Sequence, residues 1–454
     1  MLHHDTAPIL AKILKNNAKT IGMIPFNEAL KTYAKIGLLG FGGPAGQIAL
    51  MHRIFVEEKN WISEARFLHA VNYCMLLPGP EATQLATYIG WLLHKTKGGI
   101  AAGLLFVLPG AALILVLSAI YAQWHEAPLI AALFYGLKSA VLVVVIEALL
   151  HIGRRSLRST AARQVAALAF VGIFFLALPF PLIVLAAGAL GFFAPKSFPP
   201  PVLKSGTASA GASVLERMEA QGLLLHTQAA QAHSLRTLLD GLAIWFTPVL
   251  AAMLYLGRDH ILSQLGVIFS RLAVVTFGGA YAVLAYVAQL GLIPPPDMLN
   301  GLGLAETTPG PLILVLEYVG YLSAYKTMGH AGGVLGAAMV LWVTFVPCFL
   351  WIFLGAPYIE SARNNKSLAA ALSAINAAVT GVILNLAVWF GLHTLFTTAE
   401  PFRTNGVTLY RLGAPDAPAF MIAGVAAIAL FRLKMSLPAV LGACAALGLL
   451  LAQL

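Results

Sequence analysis

A Pro-Gly-Pro triplet occurs twice in this 454-residue chain, at residues 78–80 and 309–311, and each copy interrupts a long apolar run. A Phe-Gly-Gly break lies upstream of each triplet, at residues 41–43 and 277–279. A glycine between two prolines cannot continue a regular helix, because proline lacks an amide hydrogen and pushes the preceding residue towards extended geometry. In lipid, such a break is tolerated only where protein or a water-filled cavity satisfies the freed backbone. Paired breaks in two repeated halves therefore predict a transporter site.

Composition places the chain in a membrane. Hydrophobic residues make up 59% of it and charged residues only 10%, with a mean hydropathy of +0.84. Soluble domains carry about 25% charged residues, so we expect an all-α polytopic membrane protein. The formal net charge is +10, but the basic residues flank apolar segments, which indicates orientation by the positive-inside rule rather than binding to nucleic acid.

Several kinds of site have no motif in this sequence. Cys74, Cys348 and Cys444 lie far apart in apolar runs, so we expect neither a disulfide nor a metal site. Walker and hydrolase signatures are missing, so we expect no catalytic residue, no cofactor and no ATP-driven pumping by this chain. Residues 1–20 lack the apolar core of a cleavable signal peptide and predict an amphipathic helix on the cytoplasmic surface.

The chain divides into two similar halves. We place a first repeat at residues 1–195, a flexible cytoplasmic linker at 196–235 and a second repeat at 236–454. Each half has limbs shorter than the about 20 residues of a full span, which predicts broken or re-entrant helices, and then about four full spans. The limbs are 27–39, 44–57, 63–77 and 80–94, then 260–276, 280–292, 297–307 and 311–325. The spans are 99–122, 128–150, 162–178 and 180–194, then 332–355, 368–395, 415–431 and 437–453.

An additional apolar helix at 238–256 separates the repeats, and such an odd crossing turns the second copy upside down. Loop charges agree with this inversion. The first half has four arginines between residues 154 and 163, whereas the corresponding loop at 397–416 balances its arginines with acids. We therefore predict inverted repeats, with the N-terminus in the cytoplasm and the C-terminus outside.

The breaks are the first candidates for binding. Glycine backbone and helix N-termini present free N–H groups and a partial positive charge, which suits an anion, and threonine hydroxyls add donors. The alternative is that these glycines and prolines only permit tight packing or a kink. The candidate residues are Phe41, Gly42, Gly43, Pro78, Gly79, Pro80, Gln84, Phe277, Gly278, Gly279, Thr307, Thr308, Pro309 and Gly310.

Two cations occupy matching positions. Lys35 lies six residues before Phe41, and Arg271 lies six residues before Phe277. A charge at membrane depth is costly and generally faces a cavity or a partner, so both are candidates for binding an anion. The alternative is a side chain that snorkels to the membrane surface, which Lys35 with its polar neighbours fits equally well.

Other polar side chains recur inside apolar helices. Lys138 and Glu147 correspond to Asn376 and Asn385 in the second half. These residues line the cavity or join helices by hydrogen bonds, and the sequence does not choose between the two roles. Acids in apolar surroundings are candidates for proton coupling; the candidates are Glu81, Glu147 and Glu317.

This pattern resembles the repeat signature of the chromate ion transporter family, and specifically its long two-domain members. The first half carries it in both breaks and in Trp61, Phe67, Gln84, Gly90, Gly98-Gly99 and Pro109. The second half carries it in both breaks and in Gly320, Gly332-Gly333 and Pro347. The second half lacks counterparts of Trp61 and Gln84, so the halves need not contribute equally to binding.

The resemblance implies export of chromate across the bacterial inner membrane, driven by the membrane potential or a proton gradient, and hence chromate resistance. It also implies sulfate as a competing ligand, because the two anions share shape and charge. Sulfate or another oxyanion as the main substrate stays open, as does, from another class, a membrane-bound chromate reductase or scaffold. The expected partners are the oxyanion and membrane lipid, and a homodimer stays open.

We predict that Arg271→Gln abolishes oxyanion transport while expression stays intact, because the substitution removes a positive charge from the hairpin that precedes the second break. The measurement is transport by cells or vesicles that contain the variant. Flux equal to that of the wild type would remove Arg271 from the site.

Overall fold

The structure is a computed structural model that describes residues 24–75, 77–199, 212–224, 227, 231–277, 279–358 and 366–453. The amphipathic helix predicted for residues 1–20, and Gly278 of the second Phe-Gly-Gly break, lie outside these residues. The described chain is predominantly helical and contains one two-stranded hairpin. The predicted class, an all-α polytopic membrane protein, is confirmed.

The helices of the first half follow the predicted order. They are α1 (Phe26–Leu39), α2 (Gly43–His52, extended by a π-helical segment, Arg53–Glu58), α3 (Glu64–Cys74), α4 (Glu81–Trp124), α5 (Pro128–Ser156), α6 (Thr160–Phe174) and α7 (Phe180–Phe193). Pro44, Pro128 and Pro181 lie in the first turns of their helices, where the missing N–H group would have no intrahelical partner.

The linker and the second half continue this order. Their elements are α8 (Val214–Ala220), α9 (Gln231–Tyr255), α10 (Ile261–Val275), α11 (Ala280–Leu290), α12 (Pro295–Thr307), α13 (Val315–Gly355), α14 (Lys366–Leu395), β1 (Ala399–Thr404), β2 (Val407–Leu412), α15 (Ala417–Ala427, extended by a π-helical segment, Ile428–Arg432) and α16 (Leu437–Leu451). Helix α9 is the additional apolar helix predicted between the repeats.

The predicted boundary between limb and span is found in both halves. The limb after each Pro-Gly-Pro triplet and the first full span are two helical segments of α4 or α13, joined at a sharp kink and packed against each other, since Gly90 lies directly against Gly98 and Gly320 against Gly336. The bend in α4 lies at His94 and Lys95, and the bend in α13 lies at Gly329, whose φ of 65° is left-handed. Polar residues at the two kinks interrupt the apolar run, as the predicted boundary between limb and span requires.

Five helices among the described residues are long and apolar enough to cross a membrane. They are Glu81–Trp124, Pro128–Ser156, Ser234–Tyr255, Leu312–Gly355 and Ser367–Leu395. Shorter apolar helices, which include α6, α7, α10, α11 and α16, complete the bundle. Large apolar side chains such as Leu168 and Leu254 are mostly exposed, as expected for surfaces that contact lipid.

One limb of each half, α1 in the first half and α12 in the second, begins beside one end of the part of α4 that follows its kink, and the two limbs begin at opposite ends. At its bent end, the His94 ring donates to the Ile24 carbonyl, just before α1, at 2.9 Å. Near its other end, the Tyr121 hydroxyl donates to Asp297, in the first turn of α12, at 2.7 Å. About 40 Å of helix separates these contacts. The breaks of both halves therefore lie between the two ends of the bundle.

A β-hairpin forms the connection between α14 and α15, where the sequence predicted only a loop. Strand β1 pairs antiparallel with β2, from Ala399↔Leu412 to Thr404↔Val407. The turn is Asn405-Gly406, with φ of 49° and 80°, and this dipeptide is the hairpin signal that the sequence analysis overlooked. The Thr408 N–H group donates to the Phe175 carbonyl at 2.7 Å, so the hairpin covers the turn between α6 and α7.

Part of the linker is folded, so the prediction of a flexible segment is wrong for residues 212–224. The linker helix, α8, begins with a capping box between Ser213 and Glu216. Hydrogen bonds, first from the Ser63 side chain and then from the Ser213 backbone, lower the pKa of Glu216. Glu219 forms an ion pair with Arg66 of α3.

Backbone contacts fix the linker helix against the first half. The N–H groups of Val214 and Leu215 donate to the carbonyls of Asn60 and Trp61, in the turn before α3, both at 3.1 Å. Leu215 is completely buried. The apolar side chains of the linker helix therefore belong to the core of the first half.

We predict that Leu215→Ala lowers the free energy of unfolding by about 2–3 kcal/mol, because it leaves a cavity in a packed core. Glu219→Gln is the control, since an exposed ion pair contributes at most about 1 kcal/mol. Thermal unfolding of both variants in detergent makes the comparison. An unchanged unfolding temperature in Leu215→Ala would contradict the packed linker helix.

Candidate functional site

The four breaks meet in pairs, and each pair joins one half to the other. The N–H group of Gly79, in the first Pro-Gly-Pro triplet, donates to the Thr276 carbonyl at 2.8 Å. The N–H group of Gly310, in the second triplet, donates to the Gly40 carbonyl at 3.0 Å. Thr276 and Gly40 are the residues directly before the two Phe-Gly-Gly breaks. A backbone N–H group freed by the Pro-Gly-Pro break of one half is thus satisfied by the carbonyl that precedes the Phe-Gly-Gly break of the other half.

Glycine is required at these turns. Gly42, Gly79 and Gly310 have φ of 83°, 121° and 94°, a range that other residues adopt only with strain. The second triplet also packs closely on α4, since a Cβ atom on Gly110 would lie 2.2 Å from the Pro309 carbonyl oxygen. The glycines therefore set both the shape of the breaks and their distance from the neighbouring helix.

A buried glutamine strengthens the contact between the two halves. Gln47, one turn into α2 and only 1% exposed, donates from its Nε2 atom to the carbonyls of Gly310 at 2.6 Å and Gly40 at 3.1 Å. Gln84 of α4 donates in the same way to the Pro78 carbonyl at 2.8 Å. The Oε1 atoms of both glutamines have no hydrogen-bond partner among the described residues.

The helix starts beside the breaks enclose a small cavity. Its lining comes from the first turns of α2, α4 and α11 and from the turn before α13, and includes Pro44, Gln47, Pro80, Glu81, Gly279 and Pro311. The cavity measures about 20 Å³, which holds about one water molecule. A tetrahedral oxyanion is larger than a water molecule, so this conformation is closed, and binding requires the breaks to move apart.

The predicted cations do not line this cavity. Lys35 is exposed and lies 3.6 Å from Glu58. Arg271 is exposed on α10 and forms no ion pair within the described chain. The Lys138 ammonium lies 4.9 Å from the centre of the Tyr135 ring, and Lys138 is not part of the cavity lining.

The predicted acids have different surroundings. Glu81 is partly exposed and lines the cavity. Glu317 is 1% exposed, and its Oε2 atom has no hydrogen-bond partner among the described residues. Neither Glu317 nor the part-buried Glu147 belongs to the cavity lining.

The remaining predicted residues lie at or near the breaks, with one exception. The hydroxyls of Thr307 and Thr308 donate to carbonyls of their own helix, α12, so they are not free donors in this conformation. Phe41 is 39% exposed and Phe277 is partly buried. Asn376 lies partly buried on α14, outside the cavity lining.

The structure adds residues that the sequence analysis did not select. Gln47 is an isolated amide in an apolar stretch directly after a break, which was the available signal. Tyr281 donates to Glu306 at 2.5 Å, and both side chains are buried. This pair links the two helices that flank the breaks of the second half, two residues after Gly279 and three before Pro309.

The fold and the site define an all-α polytopic membrane protein in which helix breaks from two halves meet around an enclosed cavity. The sequence profile described as Chromate transporter matches residues 28–192 and 263–449. The chain therefore belongs to the chromate transporter family. The matched regions contain all four breaks and omit the linker and α9.

Curated relatives match over most of their length. A chromate transport protein of Pseudomonas aeruginosa is 29% identical over 86% of this chain and 86% of its own. A chromate transport protein of Cupriavidus metallidurans is 27% identical over 77% of this chain and 79% of its own. A probable chromate transport protein of Synechococcus elongatus is 24% identical over 89% of this chain and 90% of its own. No solved structure matches.

We predict that Gly110→Ala strongly reduces transport, because the added methyl group overlaps the Pro309 carbonyl and displaces the second triplet. Overpacking of this kind costs about 1–3 kcal/mol. Gly442→Ala on α16 is the matched control, since a Cβ atom there meets nothing within 4 Å. Both variants are compared for folded yield and for oxyanion flux in vesicles. Equal flux in the two variants would contradict a role for the packed triplet.

Proposed function

We propose that this protein is a secondary transporter that exports chromate across the inner membrane and thereby confers resistance to chromate. The observation that carries the proposal is the pairing of the four breaks across the two halves, around a cavity lined by helix starts. Membership of the chromate transporter family and the names of the relatives support chromate as the transported oxyanion.

The proposed binding groups are backbone amides. In the closed conformation the N–H groups of Gly79 and Gly310 donate to carbonyls of the opposite half. When the breaks separate, these N–H donors become free, together with the N-termini of α2, α4 and α11. Water then donates hydrogen bonds to the carbonyl groups that these N–H groups have left. A doubly negative oxyanion then takes the place of the carbonyl acceptors, because N–H groups and helix N-termini favour negative charge.

We assign long-range roles to the cations. Lys35 and Arg271 are exposed and lie on the limbs that lead to the two Phe-Gly-Gly breaks. They attract the dianion as it approaches, rather than binding it directly, because neither belongs to the cavity lining. A contribution of this type acts on the association rate and weakens as salt concentration rises. Under this proposal Arg271→Gln slows transport at low salt, whereas direct binding by Arg271 predicts that the substitution abolishes transport.

Alternating access is proposed to follow from two inverted repeats that rock against each other. The limbs of the two halves start from opposite ends of α4, so opening the contact between them on one side exposes the cavity to one side of the membrane. A negative cell interior favours exit of anions by about 2.3 kcal/mol per charge per 100 mV. Export of a dianion is therefore favoured without a separate energy source.

The decisive experiment is chromate uptake into inverted membrane vesicles with a positive interior potential. We expect accumulation that depends on the protein and on the potential. Chromate uptake that is unchanged by excess sulfate indicates selectivity for chromate. Chromate uptake that excess sulfate abolishes favours a general oxyanion transporter. The absence of accumulation above protein-free vesicles would contradict the proposal.

The same vesicles distinguish transport from reduction. Accumulated chromium that remains hexavalent excludes a chromate reductase as the main activity. Conversion to a lower oxidation state at the rate of uptake would favour the enzymatic alternative.

A further inference from the structure

We propose, building on the function proposed above, that the cavity enclosed by the helix starts binds the oxyanion together with one proton, and that Glu81 holds this proton. The sequence offered three acids for proton coupling, and the position of the cavity distinguishes them. The proposal depends on the groups that line the cavity and on the charges that surround Glu81.

The first observation is the place of Glu81 beside the breaks. Glu81 is the first residue of α4, directly after Pro80, and both residues line the cavity. A bound dianion at these helix starts is therefore a direct neighbour of the Glu81 carboxyl group. Two negative groups that share a small cavity with little water repel each other strongly, and one of them takes up a proton. Binding of the anion and protonation of Glu81 are then linked.

The second observation is an acceptor without a donor. Gln47 is 1% exposed and lines the same cavity. Its Nε2 atom donates to two carbonyls, which fixes the orientation of the amide and leaves Oε1 as an acceptor. This Oε1 atom has no hydrogen-bond partner among the described residues. A buried acceptor of this kind is stabilised by a hydrogen-bond donor in the cavity, such as a protonated carboxyl group, and it repels a fully deprotonated oxyanion.

No counter-charge in the described chain neutralises Glu81. The charged group that acts on it is Arg155, near the end of α5, which is exposed and forms no ion pair with Glu81 within 4.0 Å. The other titratable neighbour is the buried thiol of Cys74, at the end of α3. Arg155 therefore modulates the proton affinity of Glu81 from a distance but does not replace the proton.

The other candidate acids lack this geometry. Glu317 is buried within α13, and Glu147 lies partly buried on α5; neither lines the cavity. Glu306, which the structure adds, is already hydrogen-bonded to Tyr281 and is 3% exposed. Of Glu81, Glu147, Glu306 and Glu317, Glu81 is the one that lines the cavity and can contact a bound anion.

A co-bound proton changes the charge that crosses the membrane. The dianion and the proton together carry one negative charge, so a negative interior still favours exit, by about 2.3 kcal/mol per 100 mV. The proton moves in the same direction as the anion. An acidic exterior therefore opposes export, whereas a negative interior promotes it.

The test counts protons taken up when chromate binds to the purified full-length protein in detergent. Measurements at alkaline pH keep free chromate a dianion, and calorimetry in buffers of different ionisation enthalpy gives the number of protons per bound anion. We expect the wild type to take up one proton per bound chromate. We therefore expect its affinity for chromate to fall about tenfold for each unit by which the pH is raised. We expect Glu81→Gln to bind chromate without proton uptake and with an affinity that does not depend on pH.

Two further variants complete the design. Glu81→Asp keeps a carboxyl group and is expected to retain the uptake, and Glu400→Gln on the exposed hairpin leaves it unchanged. Chromate binding by the wild type without proton uptake overturns the inference and leaves the proposed transport function intact. Persistent uptake in Glu81→Gln overturns the assignment to Glu81. A wild-type protein that binds no chromate at all overturns the proposed function itself.

Discussion

The structure depends on the need to satisfy backbone groups where helices break inside an apolar environment. Hydrogen bonds from Gly79 to Thr276 and from Gly310 to Gly40 meet this need, and each crosses from one half of the chain to the other. Gln47 adds two further bonds at the same contact. Because the proposed anion site uses these same amides, closing the breaks and binding an anion are alternatives. An anion therefore shifts the equilibrium towards the open state only to the extent that it replaces the lost bonds.

The two halves have the same order of helices and breaks but differ in the side chains that they place at the cavity. Gln47 and Gln84 correspond to Val283 and Val315 in the second half, and Glu81 corresponds to Leu312. The second half instead carries the buried pair of Tyr281 and Glu306. Glycine and proline positions persist because the breaks require them, whereas the side chains are free to diverge. The first half consequently supplies the polar groups that line the cavity, and the second half supplies a hydrogen bond that holds its own breaks together.

Most of the fold was predictable because its determinants are local. Lengths of apolar runs gave the helices, and the Pro-Gly-Pro and Phe-Gly-Gly positions gave the breaks to within a few residues. The kinks at His94 and Gly329 were predictable as well, because polar residues interrupt the apolar run where each limb folds back on the following span. The linker helix was missed because Leu215 is buried by residues about 150 positions earlier in the chain. A linear pattern does not contain that contact.

The sequence by itself determined the membrane class, the position of the four breaks and the family signature, since each follows from the chemistry of residues that are neighbours along the chain. Only the tertiary structure decided which break faces which, that Glu81 and Gln47 line the cavity, and that Lys35, Arg271 and Lys138 do not. These facts depend on how limbs from distant parts of the chain are directed after each break. Proline and glycine determine that a helix stops there, but packing against the other half determines where the next helix points.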